Sequence, residues 1–331
     1  MTTRRTLIQA GLALAGAATV PATALAQAAP AGFPSKAVRI VVPFGPGGVA
    51  DLTAREVGRA LGERIKQPVV IENRPGAGGV AAGETVARAD ADGHTLLLMS
   101  NGTAVSAGLF NKLPFDATKD FAPVSLLGLF DLAVVVPANS KYRNLADLVA
   151  DAKANPGKLN LGSIAIGSTQ NLAAELFKST AGIDLQTVPF NGTPAVVAAL
   201  RGGSIDAAVE IVSPIKGPIT GGALRALAVM GEKREASMPN VQTVAEAGGA
   251  LAGFNVASWN AVAAPANTPR DRIAYLNREV NAVLAQPDVR AKLASFDVEA
   301  RGSTPEALGQ LLSSEIRRWT GVIEKAKIPK Q

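Results

Sequence analysis

Three turns rich in glycine and short polar residues carry most of the chemistry available to this chain. They are "PFGPGGVAD" (residues 43–51), "GSIAIGSTQN" (162–171) and "VPFNGTPAVVAAL" (188–200). Each follows a run of β-formers and leads into a helical pattern. That order points main-chain N–H groups, and a helix start worth roughly half a positive charge, at whatever occupies the turn, so an anion can be held without any arginine. Gly47, Gly167 and Gly192 permit close backbone approach, while Ser163, Ser168 and Asn191 supply polar side chains. Asp51 either caps its helix or meets a cationic group on a ligand.

Other chemistries fit less well. Gly45, Gly47 and Ala50 match a relaxed dinucleotide fingerprint, and Glu72 falls where a ribose-binding acid would sit. Pro46 stiffens that turn, however, and Asp51 would stand beside a pyrophosphate. The chain has no cysteine and one histidine, His94, which leaves no thiol nucleophile, no Cys- or His-built metal site and no partner near His94 for a serine triad. Neither a G-x-S-x-G elbow nor a calcium loop is present, and Asp90, Asp92, Asp116 and Asp120 read as solvated turn acids. An exported oxidoreductase or serine hydrolase is the competing class, and a structural envelope protein a weaker one. No cofactor and no metal are expected.

The positioning elements follow from the periodicities. After residue 37 the pattern alternates β and α: "VRIVVPF", "ADLTAREVGRALGERI", "PVVIENR", "GVAAGETVARA", "HTLLLMS" and then the apolar "LGLFDLAVVVP". A second α/β set spans "NLADLVADAKAN" to "LRALAVM", and three helical patterns close the chain. Alternation of this kind implies mostly parallel sheets flanked by helices. One apolar extended segment leads into the second set near residues 133–137, and another leads out near 257–264. Two crossings between two α/β sets predict a hinge and a cleft that closes on a ligand.

The first 26 residues combine Arg4-Arg5, an apolar run from about Leu7 to Val20 and small residues at Ala24 and Ala26. That is the pattern of an export leader cut after Ala26, by a twin-arginine or a general route, and it places the mature chain in the periplasm. The apolar run is too short to span about 30 Å of hydrocarbon. The net charge of +6 comes from scattered Lys and Arg rather than a basic stripe interleaved with aromatics, so nucleic-acid binding is not expected.

Together "PFGPGGVAD", "VVIENRPGAGG", "DGHTLLL", "LPFDATKDFAPV", "AAELFK", "VPFNGTPAVVAALRGGSID" and "APANTP" resemble the Bug-type periplasmic solute-binding proteins, the receptors of tripartite tricarboxylate transporters. The similarity runs from about Phe33 to the end. It implies an α/β, two-lobe Venus-flytrap fold, each lobe a mostly parallel sheet flanked by helices. Residues 33–133 and 260–331 would form lobe 1 and residues 134–259 lobe 2. It also implies a receptor, a monomer, that takes a small carboxylate (an organic acid or amino acid) from the periplasm to membrane permease subunits; a sensor role toward a signalling kinase is the family's second possibility. By motif, the ligand residues would be Phe44, Gly47, Gly48, Asp51, Ser100, Thr103, Ser163, Gly167, Ser168, Phe190, Asn191 and Gly192. The chain departs from the family pattern at Ala165, Asn171, Glu210 and Ile211. Glu210 in the cleft would favour a ligand amine, unless an Arg or Lys of its own lobe pairs with it.

Overall fold

The computed structural model describes residues 29–331 apart from 165. The leader expected over residues 1–26 and the departure at Ala165 therefore lie outside the described residues. The chain begins with β1 (Val38–Val42), α1 (Val49–Ile65), β2 (Val69–Asn73), α2 (Val80–Ala87), β3 (Thr95–Ser100) and α3 (Asn101–Leu109). Strand β4 (Phe121–Pro137) follows, then α4 (Leu145–Ala154), β5 (Asn160–Ile164), α5 (Thr169–Ala181), β6 (Gln186–Phe190) and α6 (Thr193–Arg201). Next come β7 (Ala207–Ile211), α7 (Val212–Thr220), β8 (Leu224–Val229) and β9 (Ala257–Pro265). The chain closes with α8 (Arg270–Leu284), α9 (Pro287–Ala294), β10 (Glu299–Ala300) and α10 (Pro305–Lys325). No helix among the described residues is long and apolar enough to cross a membrane.

Most strands of each sheet run one way, as expected, with one crossing strand against them. In the first, β1 pairs in parallel with β2 and β3, whereas β9 runs antiparallel to both β3 and β4. In the second, β5 is parallel to β6 and β7, whereas β4 is antiparallel to β7 and β8. Each sheet thus keeps one polarity apart from the strand that enters it from the other side and the two-residue β10. A single chain that leaves a sheet and comes back must pass through once in each direction. The outgoing passage is β4, whose first part pairs with β9 up to Asp131 and whose last part, from Leu132, pairs with β7 and β8. The return is earlier than residues 257–264, since β9 pairs within the first sheet from Ala257 onward. The way back is the short stretch before it, where the Val256 amide donates to the Met230 carbonyl.

Packing follows the patterns that generate the elements. Helix α1 buries Ala50, Ala54, Val57 and Leu61, a spacing that puts them on one stripe, against a cluster that includes Ile40, Val262 and Leu276. A second cluster under α6 and α7 gathers Val196, Leu200, Ile205 and Ile215. A third runs through both sheets, from Val41 and Leu97 to Phe177 and Val209, and takes in Leu308, Leu312 and Trp319 of α10. Helix α10 starts sharply, with the Thr304 hydroxyl accepting from the Ala307 amide and Pro305 in the first turn, where a missing N–H costs nothing.

Candidate functional site

The polarity of β4 decides where the polar turns go. It is parallel to β1 and β3 in effect, being antiparallel to β9, so the C-terminal ends of β1 and β3 lie at the end of the first sheet where β4 leaves it. It is antiparallel to β7, whose Ile211 and Glu210 pair with Leu132 and Ala133, the first residues of β4 in the second sheet. Both sets of strand ends therefore face each other across the crossing. Ser100 is level with Asn260, which is level with Gly128. Along β4, Gly128 and Ala133 are five residues or about 17 Å apart, which is the scale of a cleft for a small molecule.

The turn after β1 and the turn after β5 are built alike. Gly47 and Gly167 both adopt left-handed φ, +87° and +81°, which a side chain would strain. In the first turn the Gly47 amide donates to Asp51 Oδ2 at 2.8 Å; in the second the Gly167 amide donates to Asn171 Oδ1 at 3.1 Å. Each helix thus reaches back, from its third residue, to fix the loop ahead of it. The two helix starts differ in their caps. Ser168 accepts from the Asn171 amide at 3.1 Å, whereas Gly48 offers α1 no side-chain cap, leaving the first amides of α1 without a partner inside the helix.

Asp51 is only 2% exposed. Besides the Gly47 amide it accepts from Arg55 Nε at 2.9 Å, through Oδ2, and from Asn73 Nδ2 at 2.9 Å, through Oδ1. Burial alone would raise its pKa, but Arg55, the Gly47 amide and Asn73 together hold it below the usual carboxylate value. Asn73 also donates to the Phe44 carbonyl at 3.0 Å. The carboxylate is accordingly committed to the shape of the turn ahead of the helix; it does not cap α1, which has no side-chain cap hydrogen bond.

Ser100 caps α3 in a reciprocal box: its hydroxyl accepts from the Gly102 amide at 3.1 Å, and Thr103 Oγ1 accepts from the Ser100 amide at 3.3 Å. Ser163 is buried, donates to the Ile164 carbonyl and accepts from Asn171 Nδ2 at 3.4 Å. Phe190 ends β6, Asn191 follows, and Gly192 is the uncapped N-cap of α6. Glu210 is fully buried; its Oε2 accepts from Thr193 Oγ1 at 2.9 Å, and its Oε1 has no partner. Among the described residues no Arg or Lys pairs with it, so the ion pair allowed for in the sequence is not formed there. Burial pushes its carboxyl up to about 7, against the opposing pull of Thr193, Gln170 and the Ile211 amide.

Residues beyond the ligand set expected from the sequence also belong here. Asn73 ties the first turn to β2, Asn171 and Thr193 organise the second and third, and Asn260, wholly buried beside Ser100, has neither carboxamide atom paired. The signal available in the sequence for Asn171 was its place at the same offset from Gly167 as Asp51 from Gly47. Nothing local marked Asn260. A cavity of about 730 Å³ lies elsewhere, on the flank of the hinge between Asp131, Trp259, Lys216 and Glu299, and includes none of the turn residues. Several of its charged groups pair among themselves, Lys216 with Asp297 and Arg318 with Glu315, and no helix start opens into it with the geometry of the α1 turn.

One prediction arises directly. Between pH about 4.5 and 7 an unfolded chain releases the Glu210 proton that the folded chain retains, so this group lowers stability as pH rises through that window. Glu210→Gln keeps an acceptor for Thr193 and has no proton to lose. In urea unfolding, the variant is expected to gain about 3 kcal/mol on the wild type between pH 4.5 and 8; a gap that stays constant with pH contradicts it.

The chain matches the model of the tripartite tricarboxylate transporter family receptor over residues 53–328. It is 38% identical over 296 residues to a UPF0065 protein from the tcbD-tcbE intergenic region of Pseudomonas sp. (strain P51), covering 89% of this chain and 88% of that one. Among solved structures it is similar to R. palustris Rpa4515 with adipate, at TM-score 0.79 and 32% identity over 90% of this chain and 99% of that one. It is also similar to MatC (Rpa3494) from Rhodopseudomonas palustris with bound malate, at TM-score 0.73 and 32% identity over 88% and 100%. The family match spans the turns after β5 and β6 and both crossing strands, and the chain belongs to the tripartite tricarboxylate transporter receptor family, whose members are solute-binding receptors of two-lobe fold.

Proposed function

We propose that this receptor holds a small carboxylate between the turn after β1 and the turns after β5 and β6, and hands it to the permease subunits of a tripartite tricarboxylate-type transporter. The observation that carries the reading is the polarity of β4, which brings an uncapped helix start with two glycines face to face with the polar turns of the second sheet. The carboxylate is held by the main-chain amides of Gly48 and the first turn of α1, with Gly47, whose own amide is given to Asp51, shaping the turn, and with Phe44, Ser100 and Thr103 on the same side. Ser163, Gly167, Ser168, Phe190, Asn191 and Gly192 close from the other. Asp51 acts through the turn it holds, and Glu210 lies behind the third turn. Support comes also from the adipate and malate of the two similar structures.

The lobes divide within β4 at about residues 131/132 and just before β9 at residue 257, the receptor works as a monomer in the periplasm, and residues 1–26 are the leader that exports it by the twin-arginine or general route. Binding without chemistry is favoured over an exported enzyme because the turns present amides and hydroxyls but no base: His94 lies away from them, its Nε2 accepting from the Ser35 amide. The test is thermal unfolding against a panel of mono-, di- and tricarboxylic acids and amino acids. An acid at a hundred times its Kd is expected to add about 2.7 kcal/mol. No shift with any of them contradicts the reading.

A further inference from the structure

The chemistry of the cleft is uneven. Across residues 43–51, 100–103, 163–171 and 190–193 there is no lysine and no arginine. The hydroxyls are largely committed to the turns themselves: Ser100 to Gly102, Thr103 to Ser100, Ser168 to Asn171 and the Ile164 carbonyl, Ser163 also to the Ile164 carbonyl. One strong anion seat remains, the bare start of α1. The start of α6 is bare as well, but its Thr193 is bonded to Glu210, whose Oε1 is buried and unpaired. Among the described residues the cations of the elements around it are engaged or distant: Lys178 of α5 pairs with Glu175, Lys216 of α7 pairs with Asp297, and Arg201 lies at the far end of α6.

Apolar surface is placed differently. Among the described residues the exposed large hydrophobics are Phe44, Ile166 and Val70, and the first two sit on opposite jaws. Phe44 at 40% and Ile166 at 50% exposure leave ring and side chain open to solvent at turn tips, where burial by a ligand would remove that area from water. Both turns lean on α3: the Phe44 ring lies by Gly102, and Gly167 packs on Leu109. Seven residues of helix separate those contacts, about 10 Å, which fits a chain of several methylenes or one ring.

We infer that the cleft selects a monocarboxylate with a hydrocarbon body, its carboxylate on the α1 turn, its chain or ring between Phe44 and Ile166, and that Glu210 excludes a second carboxylate. The inference rests on the carboxylate reading above. At pH 8 the Glu210 carboxyl is above its midpoint of about 7 and largely charged, so exclusion is strongest there.

Isothermal titration of the purified protein at pH 8 tests it with butanoate, hexanoate, adipate, benzoate, malate and the uncharged hexanamide. Hexanoate is expected to bind at least tenfold more tightly than adipate, each added methylene from butanoate to hexanoate to strengthen binding about three- to fourfold, and hexanamide not to bind. Glu210→Gln should narrow the hexanoate-to-adipate ratio at least threefold, and Ile166→Ser should weaken hexanoate at least fivefold. Adipate or malate binding as tightly as hexanoate, or indifference to chain length, overturns the inference while leaving the carboxylate reading intact. Failure of every acid overturns that reading, and the inference with it.

Discussion

Asp51→Ala is expected to lower ligand affinity at least a hundredfold and to cost about 1 to 3 kcal/mol of stability, measured by titration and by urea unfolding. The substitution strips the acceptor from the Gly47 amide and from Asn73; Gly47 is exposed and Asn73 half-buried, so each lost hydrogen bond costs about 0.5 to 1.5 kcal/mol. The loss of Arg55 adds little, because that side chain is 49% exposed and solvent screens such a pair. Function suffers more than stability because Gly47, held at φ +87° by that one bond, aims the α1 amides. Asp51→Asn should fall between: its single oxygen can serve Gly47 or Asn73 but not both, and its amide would face one of the donors. An Ala variant that binds like the wild type would show that the turn holds its shape without Asp51.

Trp319→Ala is expected to cost about 3 to 5 kcal/mol in the same unfolding measurement, against a total of roughly 5 to 15 for a typical protein. The indole is fully buried in the apolar cluster that runs through both sheets. Its Nε1 donates to Glu315 Oε2 at 2.7 Å, and Glu315 is itself buried, so truncation opens a cavity and removes a partner from a buried carboxylate. It touches none of the turns, and at temperatures where the variant is folded its ligand affinity should stay within a few-fold of wild type. A loss under about 1 kcal/mol would mean that α10 does not anchor the shared cluster.

Helices α1, α5 and α10 were legible because their buried residues recur at helical spacing and they begin at glycine, serine or threonine-proline. Strands β1, β3 and β7 were legible as apolar runs bounded by turns. Helix α3 was not: "NGTAVSAGL" offers glycine, β-branched and hydroxyl residues with poor helix propensity, and it forms because Ser100 and Thr103 cap it and α10 covers it. Helix α7 was hidden by Pro214, Gly217 and Pro218 in "VSPIKGPIT", a segment whose helical state is supplied by packing of Val212 and Ile215 under the second sheet. The mixed sheet polarity was invisible too, since strand direction depends on which strands cross, a long-range property that β4 settles only once its two partners are known.

The site divides the same way. Glycine turns ahead of helices are local signals, and Gly47, Gly167 and Gly192 could be read directly. The role of Asp51 depended on Asn73, 22 residues away, and the isolation of Glu210 depended on where every Lys and Arg of the second sheet had gone. Asn260 reaches Ser100 only through the return strand, and no spacing in the sequence announces it.

The most direct measurement is a crystal structure of the protein with the acid that gives the largest thermal shift. The predicted result is a carboxylate with its oxygens about 3 Å from the main-chain amides of Gly48 and the first turn of α1, between the two sheets, with no Lys or Arg against it. An acid seated instead in the hinge-flank cavity beside Asp131 and Trp259, or held by a cationic side chain, would contradict the account.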